Sequence, residues 1–429
     1  MLPESLVTPM HPLEALAHSA AGGRRMGITS VCSAHPLVIE AALRHAHEQG
    51  TVALIEATCN QVNQDGGYTG MTPAQFRDTV LELSGKVGIQ PDRFLLGGDH
   101  LGPNPWKHLS ADEAMRRSEI MVAAYVEAGF AKIHLDTSMG CRGEPAALPT
   151  GTTAERAARL ARVAEDAAVR SGVLPYYVIG TEVPTPGGAH EAIDTLAVTQ
   201  PEKAIGDYEA HRAAFAAAGI GQAFARVVGL VVQPGVEFGS ENVVTYEPER
   251  AKGLSAALKS MPGLVFEAHS TDYQPADSLA RLVQDGFAIL KIGPALTFAL
   301  REALYGLDAV NRFLHPGSAS LIAEMEKLMV ERPENWSAYY AGSATEQRLQ
   351  RHFSYSDRIR YYWAQPQAQL AVGALLADLD GVTLGETLIS QYLPRLYERA
   401  RSGALGGGPR TLIIESVREV LGRHFAACG

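Results

Sequence analysis

The chain lacks most of what marks a secreted, membrane-spanning or nucleotide-driven protein. Its 429 residues include only four cysteines, Cys32, Cys59, Cys141 and Cys428, and none form a C-x-x-C pair. So sparse a set excludes a disulfide framework and points to reduced thiols and a cytoplasmic setting. The N-terminal MLPESLVTPMHPLEALAHSA has no basic region followed by a continuous apolar run, so no signal peptide is expected. No apolar stretch approaches the roughly 18 uncharged residues of a spanning helix, so no membrane partner is expected. No stretch is strongly basic, and 37 Lys and Arg against 47 Asp and Glu leave a net charge of −10. A nucleic-acid partner is not expected either, because phosphate backbones are held by a clustered positive face. A small phosphorylated ligand needs only local donors. No Gly-x-Gly-x-x-Gly follows the first apolar run, and no Walker-type Gly-x-x-x-x-Gly-Lys-Ser/Thr occurs. The fingerprints of dinucleotide binding and of nucleotide phosphoryl transfer are therefore missing.

What the sequence does have is alternation. Short apolar runs predict strands at 27–33, 51–57, 93–99, 132–138, 176–182, 227–233, 264–270 and 288–293. Stretches with helical spacing lie between them, at 36–49, 72–86, 110–128, 153–172, 207–219, 247–260 and 276–285. Parallel neighbours need crossover connections, so eight such units predict a closed (β/α)8 TIM barrel over residues 1–295. The pattern then stops. Residues 296–429 are mostly helical and read as a C-terminal extension packed on the barrel, interrupted by the loops PENWSAYYAGS and SYSDRIRYYWAQP.

Polar residues recur where the predicted strands end, which is where barrel enzymes place their sites. The stretch LLGGDHLGPNPW ends an apolar run on Asp99 and His100. Successive strand residues face opposite ways, so both point inward only if the strand ends between them, with Gly97–Gly98 easing the bend. His100 and His269, with Glu182 as an oxygen ligand, match the three-ligand pattern of a catalytic zinc, and a neighbouring carboxylate suits general-base work. His134 lies within its strand and reads as a hydrogen-bonded structural group, and Glu56 as a partner of Lys132. The loops after strands 7 and 8 commonly hold phosphate in barrels. Here they offer Ser270, Thr271, Lys291 and the Gly293 backbone. Arg358 and Arg360 could add a bidentate clamp or pair with acids of the extension.

The runs GITSVCSAHPLVIEAAL, LIEATCNQVNQDGGYTGMTP, GGDHLGPNPW, IHLDTSM, IGTEVPTPGGA, VVQPGVEFG, FEAHSTDYQ, LKIGPALTFALREALY and SYSDRIRYYW carry a family resemblance. Together they resemble the non-catalytic (Z) subunit family of tagatose-bisphosphate aldolases, GatZ/KbaZ-like, in order and over nearly the whole chain. The resemblance implies a barrel related to class II, zinc-dependent aldolases. Asp99 would match their catalytic acid/base, His100 and His269 two metal ligands, and Glu182 a strand-5 glutamate. The aldolases carry a further histidine on strand 6, where this chain has VVQPGVEFG; Gln233 or Glu237 would have to substitute. The family implies two activities. One is a metal-dependent ketohexose-6-phosphate 4-epimerase of tagatose metabolism, with Asp99 as proton shuttle and Glu182 or Asp136 assisting. The other is an accessory subunit stabilising a catalytic class II aldolase subunit. A tagatose-6-phosphate kinase label used for the family finds no supporting motif. The expected partners are a phosphorylated ketohexose, an aldolase subunit in the second case, and a further copy of the chain.

Overall fold

Each barrel strand is a short run of β-branched and aliphatic residues buried on both faces, as parallel strands between helices require. The computed structural model describes residues 10–19, 25–180, 196–406 and 408–429. Among them, eight parallel strands close into a barrel: β1 (Ile28–Cys32), β2 (Ala53–Thr58), β3 (Phe94–Leu101), β4 (Lys132–Leu135), β5 (Tyr176–Ile179), β6 (Val227–Val232), β9 (Val265–Ala268) and β10 (Ile289–Ile292). Val31 of β1 pairs with Ile55 of β2 on one side and with Ile292 of β10 on the other, which closes the ring. The eight expected strands are thus present, each trimmed at an end; Ser33, Asp136, Ser138, Gln233, His269, Ser270 and Gly293 lie just beyond them, in loops. An antiparallel hairpin, β7 (Glu237–Phe238) with β8 (Val243–Val244), intervenes after β6 and was not expected from the sequence. The fold is therefore an α/β TIM barrel with additional C-terminal helices.

The outer helices lie close to their expected positions, with one correction. The helix expected at 207–219 runs from Pro201 to Ala217. Its first six residues were not expected, and Pro201 suits the first helical position, where its missing N–H is no loss. A helix over Pro12–Ser19 packs Leu13 and Leu16 against Ile28, Leu54, Tyr176, Val178 and Val265, sealing the N-terminal end of the barrel with apolar side chains. Polar groups are left to the opposite end. No helix of the described residues is long and apolar enough to cross a membrane.

Among the described residues, seven further α-helices, from Pro294–Leu314 to Pro409–Cys428, follow β10. The last returns to the barrel and packs against β1 and against the outer helices Pro36–Gln49 and Ala276–Gln284. Its carbonyl at Cys428 accepts the Gly27 N–H at 2.9 Å, and Arg410 and Arg418 pair with Glu40 and Glu48. Leu412, Ile413, Val417 and Leu421 are buried in this contact. Burying each such side chain is worth about 1.5–3 kcal/mol. Deleting residues 409–429 is accordingly expected to abolish cooperative unfolding. Thermal denaturation followed by circular dichroism checks this, and a truncated chain melting at the full-length temperature would contradict it.

Candidate active site

The DH pair is delivered differently from the sequence expectation. β3 does not end between Asp99 and His100; it continues to Leu101 through a bulge, with its register to β4 shifting between Gly98 and Leu101. His100 holds φ at 48°, the left-handed region costly for a residue with a Cβ. That turn breaks the alternation of the strand and lets both side chains join one buried cluster. The two glycines serve space rather than bending. A Cβ on Gly97 would meet Glu56 Cγ at 2.7 Å, and one on Gly98 would meet Tyr125 Cδ1 at 2.7 Å.

At the strand ends, donor atoms of Asp99, His100, His134 and His269 all lie within 4.8 Å of one another. Each imidazole is oriented from behind. His100 Nδ1 bonds Asp136 Oδ2 at 2.7 Å, and Ser138 Oγ in turn donates to Asp136 Oδ1 at 3.2 Å. His269 Nε2 bonds Glu267 Oε1 at 2.8 Å. These bonds leave His100 Nε2 and His269 Nδ1 for the cluster, in the carboxylate–histidine arrangement that supports metal ligands. His134 is bonded at both nitrogens, to Asp99 Oδ1 at 2.9 Å and to Gly180 O at 3.2 Å. It is therefore both the structural group expected and a wall of the cluster. Its membership was signalled by IHLD, where His134 and Asp136 stand two residues apart.

Charge sets the protonation states. Burial and the Lys291 ammonium hold His269 well below the ordinary imidazole range, so it is neutral with a lone pair to give. Burial pushes Asp99 up, but the neighbouring His100, the Lys291 ammonium and the His134 hydrogen bond outweigh it, and the carboxyl is held well below the usual range. Beneath lies a fully buried ion network. Lys132 Nζ bridges Glu56 Oε1 at 2.6 Å and Glu267 Oε2 at 2.7 Å, which includes the expected Glu56 pair. Lys291 contacts Asp99 Oδ1 and lies 3.7 Å from Glu56 and 3.6 Å from Glu267.

Several expected site residues are used otherwise. Lys291, offered to phosphate, faces these carboxylates inside the barrel. Gln233 Oε1 accepts the N–H groups of Gly235 and Val236 at 2.8 and 2.9 Å, organising its own loop rather than joining the histidines. Thr271 donates its hydroxyl to Lys291 O at 2.7 Å. The Gly293 and Ala295 N–H groups donate to Asp272 Oδ1 at 3.0 and 2.7 Å, so an internal carboxylate already fills the position offered to phosphate. Ser270 sits in a left-handed turn, φ 53°. Arg358 is stacked on Tyr339, its guanidinium carbon 3.2 Å from the ring centroid, and bonds Asn335 O. Glu182 lies outside the described residues. Arg360 alone of the clamp pair lines a cavity of 440 Å³, with Ser33, His35, Gln61, Tyr68 and Cys32. Cys32 Sγ is 3.8 Å from Glu56 Oε2, so this cavity abuts the cluster. Ser33, Gln61 and Tyr68 had no motif to mark them; only their places after the first two strands could have.

Glu237 is drawn into the hairpin, where Oε1 accepts the Phe238 N–H at 2.9 Å and the carboxyl is buried beside the Ser270 hydroxyl. Burial raises its carboxyl to about 7 from 4.5. An acid with a raised folded-state value binds more protons folded than unfolded, so stability falls as pH rises through this window, by about 3 kcal/mol in total. Urea denaturation at pH 5 and pH 8 is expected to show that loss in the parent chain and a smaller one in Glu237→Gln.

The chain is similar to known proteins over nearly its whole length. The family model described as D-tagatose-1,6-bisphosphate aldolase subunit GatZ/KbaZ-like matches residues 13–429. A protein of Agrobacterium fabrum named D-tagatose 6-phosphate 4-epimerase is 52% identical over 420 residues, covering 97% of this chain and 98% of that protein. A crystal structure from Sinorhizobium meliloti 1021, described as a probable tagatose 6 phosphate kinase, is 59% identical and superposes with a TM-score of 0.88. It covers 94% of this chain and 100% of its own.

Proposed function

The chain belongs to the GatZ/KbaZ-like family, and from that premise we propose that it is a metal-dependent 4-epimerase interconverting the 6-phosphates of D-tagatose and D-fructose. The observation that carries the proposal is the buried convergence of Asp99, His100, His134 and His269 at the barrel mouth. Burying carboxylates and imidazoles is costly, and a subunit that only braced a partner would have no chemical use for them.

His100 Nε2 and His269 Nδ1, with tautomers set by Asp136 and Glu267, fit a divalent ion, and an imidazole-rich set suits zinc. Such an ion supplies a Lewis acid for the C2 carbonyl of the sugar. Asp99 is the acid/base group. Lys291 and His134 hold its Oδ1, while Oδ2 faces His100 Nε2 at 3.8 Å. Oδ2 takes the C4 hydroxyl proton as the C3–C4 bond breaks and its electron pair moves toward C2. The aldehyde turns its other face, the bond re-forms, and Asp99 returns the proton to the new C4 oxygen. The phosphate sits in the adjoining cavity on Arg360, with Ser33, Gln61 and Tyr68 in reach. Residues 1–295 supply the chemistry, and residues 296–429 lend Arg360. The four unpaired cysteines suit a reducing, cytoplasmic setting.

The family description favours a second reading, an accessory role beside an aldolase subunit; a partner surface and a catalytic site are compatible on one chain. The kinase description of the Sinorhizobium meliloti relative finds no phosphate-binding loop motif in this sequence. Purified chain supplied with zinc and D-tagatose 6-phosphate is expected to form D-fructose 6-phosphate in a coupled assay. Asp99→Asn should lower kcat by about 10²–10⁴ with the metal retained. His100→Ala should lose metal and activity together, and Arg360→Ala should mainly raise KM. Absence of product from the metal-loaded parent chain sinks the epimerase reading and leaves the accessory one.

A further inference from the structure

The barrel interior carries more charge than the proposed proton transfer needs. Four carboxylates, Glu56, Asp99, Asp136 and Glu267, face two ammonium groups, Lys132 and Lys291, and all six are buried. Lys132 is held by two short ion pairs, to Glu56 and Glu267. Lys291 is placed differently. It touches Asp99 Oδ1 and lies 3.7 and 3.6 Å from Glu56 Oε2 and Glu267 Oε1. The Cys32 thiol stands on a further side, with Sγ 3.8 Å from Glu56 Oε2. Ligating atoms of Cys32, Glu56 and Asp99 fall within 4.8 Å of one another, as closely as those of the histidine cluster, and Asp99 belongs to both sets.

A thiol and carboxylates beside a histidine set, joined through one shared aspartate, are the donors of a two-ion centre. We propose that the Lys291 ammonium fills the second cation position of this centre, bounded by Cys32, Glu56, Asp99 and Glu267, and so restricts the chain to one metal ion, at the histidines. Charge supports this. With the imidazoles as neutral ligands, the four carboxylates and two ammonium groups leave two negative charges, which a single divalent ion neutralises. Two ions beside both lysines would leave an uncompensated positive excess in a buried site. Without Lys291, three negative charges remain. A second ion then brings the centre close to neutrality, provided its binding drives the proton off the Cys32 thiol, as metal binding to cysteine does. The fixed ammonium holds Asp99 in place without a ligand that a substrate could displace.

The inference rests on reading the histidine cluster as a metal centre, and cadmium titration of the full chain separates the two ideas. The parent chain is expected to bind one equivalent at the cluster, lost in His100→Ala, without a thiolate-to-cadmium absorption band. Lys291→Ala and the bulkier Lys291→Met are expected to bind a second equivalent with that band, and the band should vanish when Cys32→Ser is added. Should either variant fold only in the presence of cadmium, the ion has replaced the ammonium, which is also an expected result. A Cys32-dependent second equivalent in the parent chain overturns the proposal. So do Lys291 variants that bind one equivalent only, or that stay unfolded in excess cadmium. A parent chain that binds no equivalent at the histidines overturns the metal-centre reading itself.

Discussion

The Lys132 ammonium, held between Glu56 and Glu267 in the closed interior of the barrel, is the contact on which the site depends. Neither glutamate tolerates burial alone, because an unpaired charge in a dry interior costs several kcal/mol. Joined by Lys132, they become a fixed anionic floor, and everything above is referred to it. Glu267 orients His269, Glu56 faces Lys291, and Lys291 holds Asp99. Gly97 belongs to the same arrangement, since a side chain there would occupy the space of Glu56. The network is therefore a scaffold for orientation more than a source of stability, as buried ion pairs generally are.

Most of the architecture was legible in the sequence because parallel strands announce themselves as apolar runs with polar ends. The Glu56–Lys132 pair was legible for a related reason, since a buried charge must find its opposite. What the sequence left unread was direction. Lys291 and Arg358 are cations in expected places whose side chains point elsewhere, one into the ion network and one onto Tyr339. Arg358 and Arg360 are only two residues apart, but they lie in a 3-10 turn, so they diverge rather than form a fork. Gln233 was lost to the backbone of its own loop, in the way polar side chains at loop entrances often are.

The bulge at His100 was unreadable for a sharper reason. Strand periodicity forbids adjacent inward side chains, and the chain evades that rule by one residue of left-handed backbone. Such strain persists only where the surroundings enforce it. Here the enforcement comes from Asp136 on the ring and from the His134 imidazole, whose Nδ1 lies 3.2 Å from the His100 backbone nitrogen. Local rule-breaking of this kind concentrates where chemistry is done.

The helix Pro409–Cys428 gives the fold an unusual schedule. It comes last in chain order among the described elements, yet it lies against β1, the first strand of the barrel. Strands and outer helices can assemble as they emerge, but the apolar surface over β1 and its neighbouring helices stays uncovered until Pro409–Cys428 has been made. The nascent chain thus carries a sticky seam for as long as that helix is missing, and the barrel is completed only when it docks. Expression in a host with limited chaperone capacity is where this barrel is most exposed to aggregation.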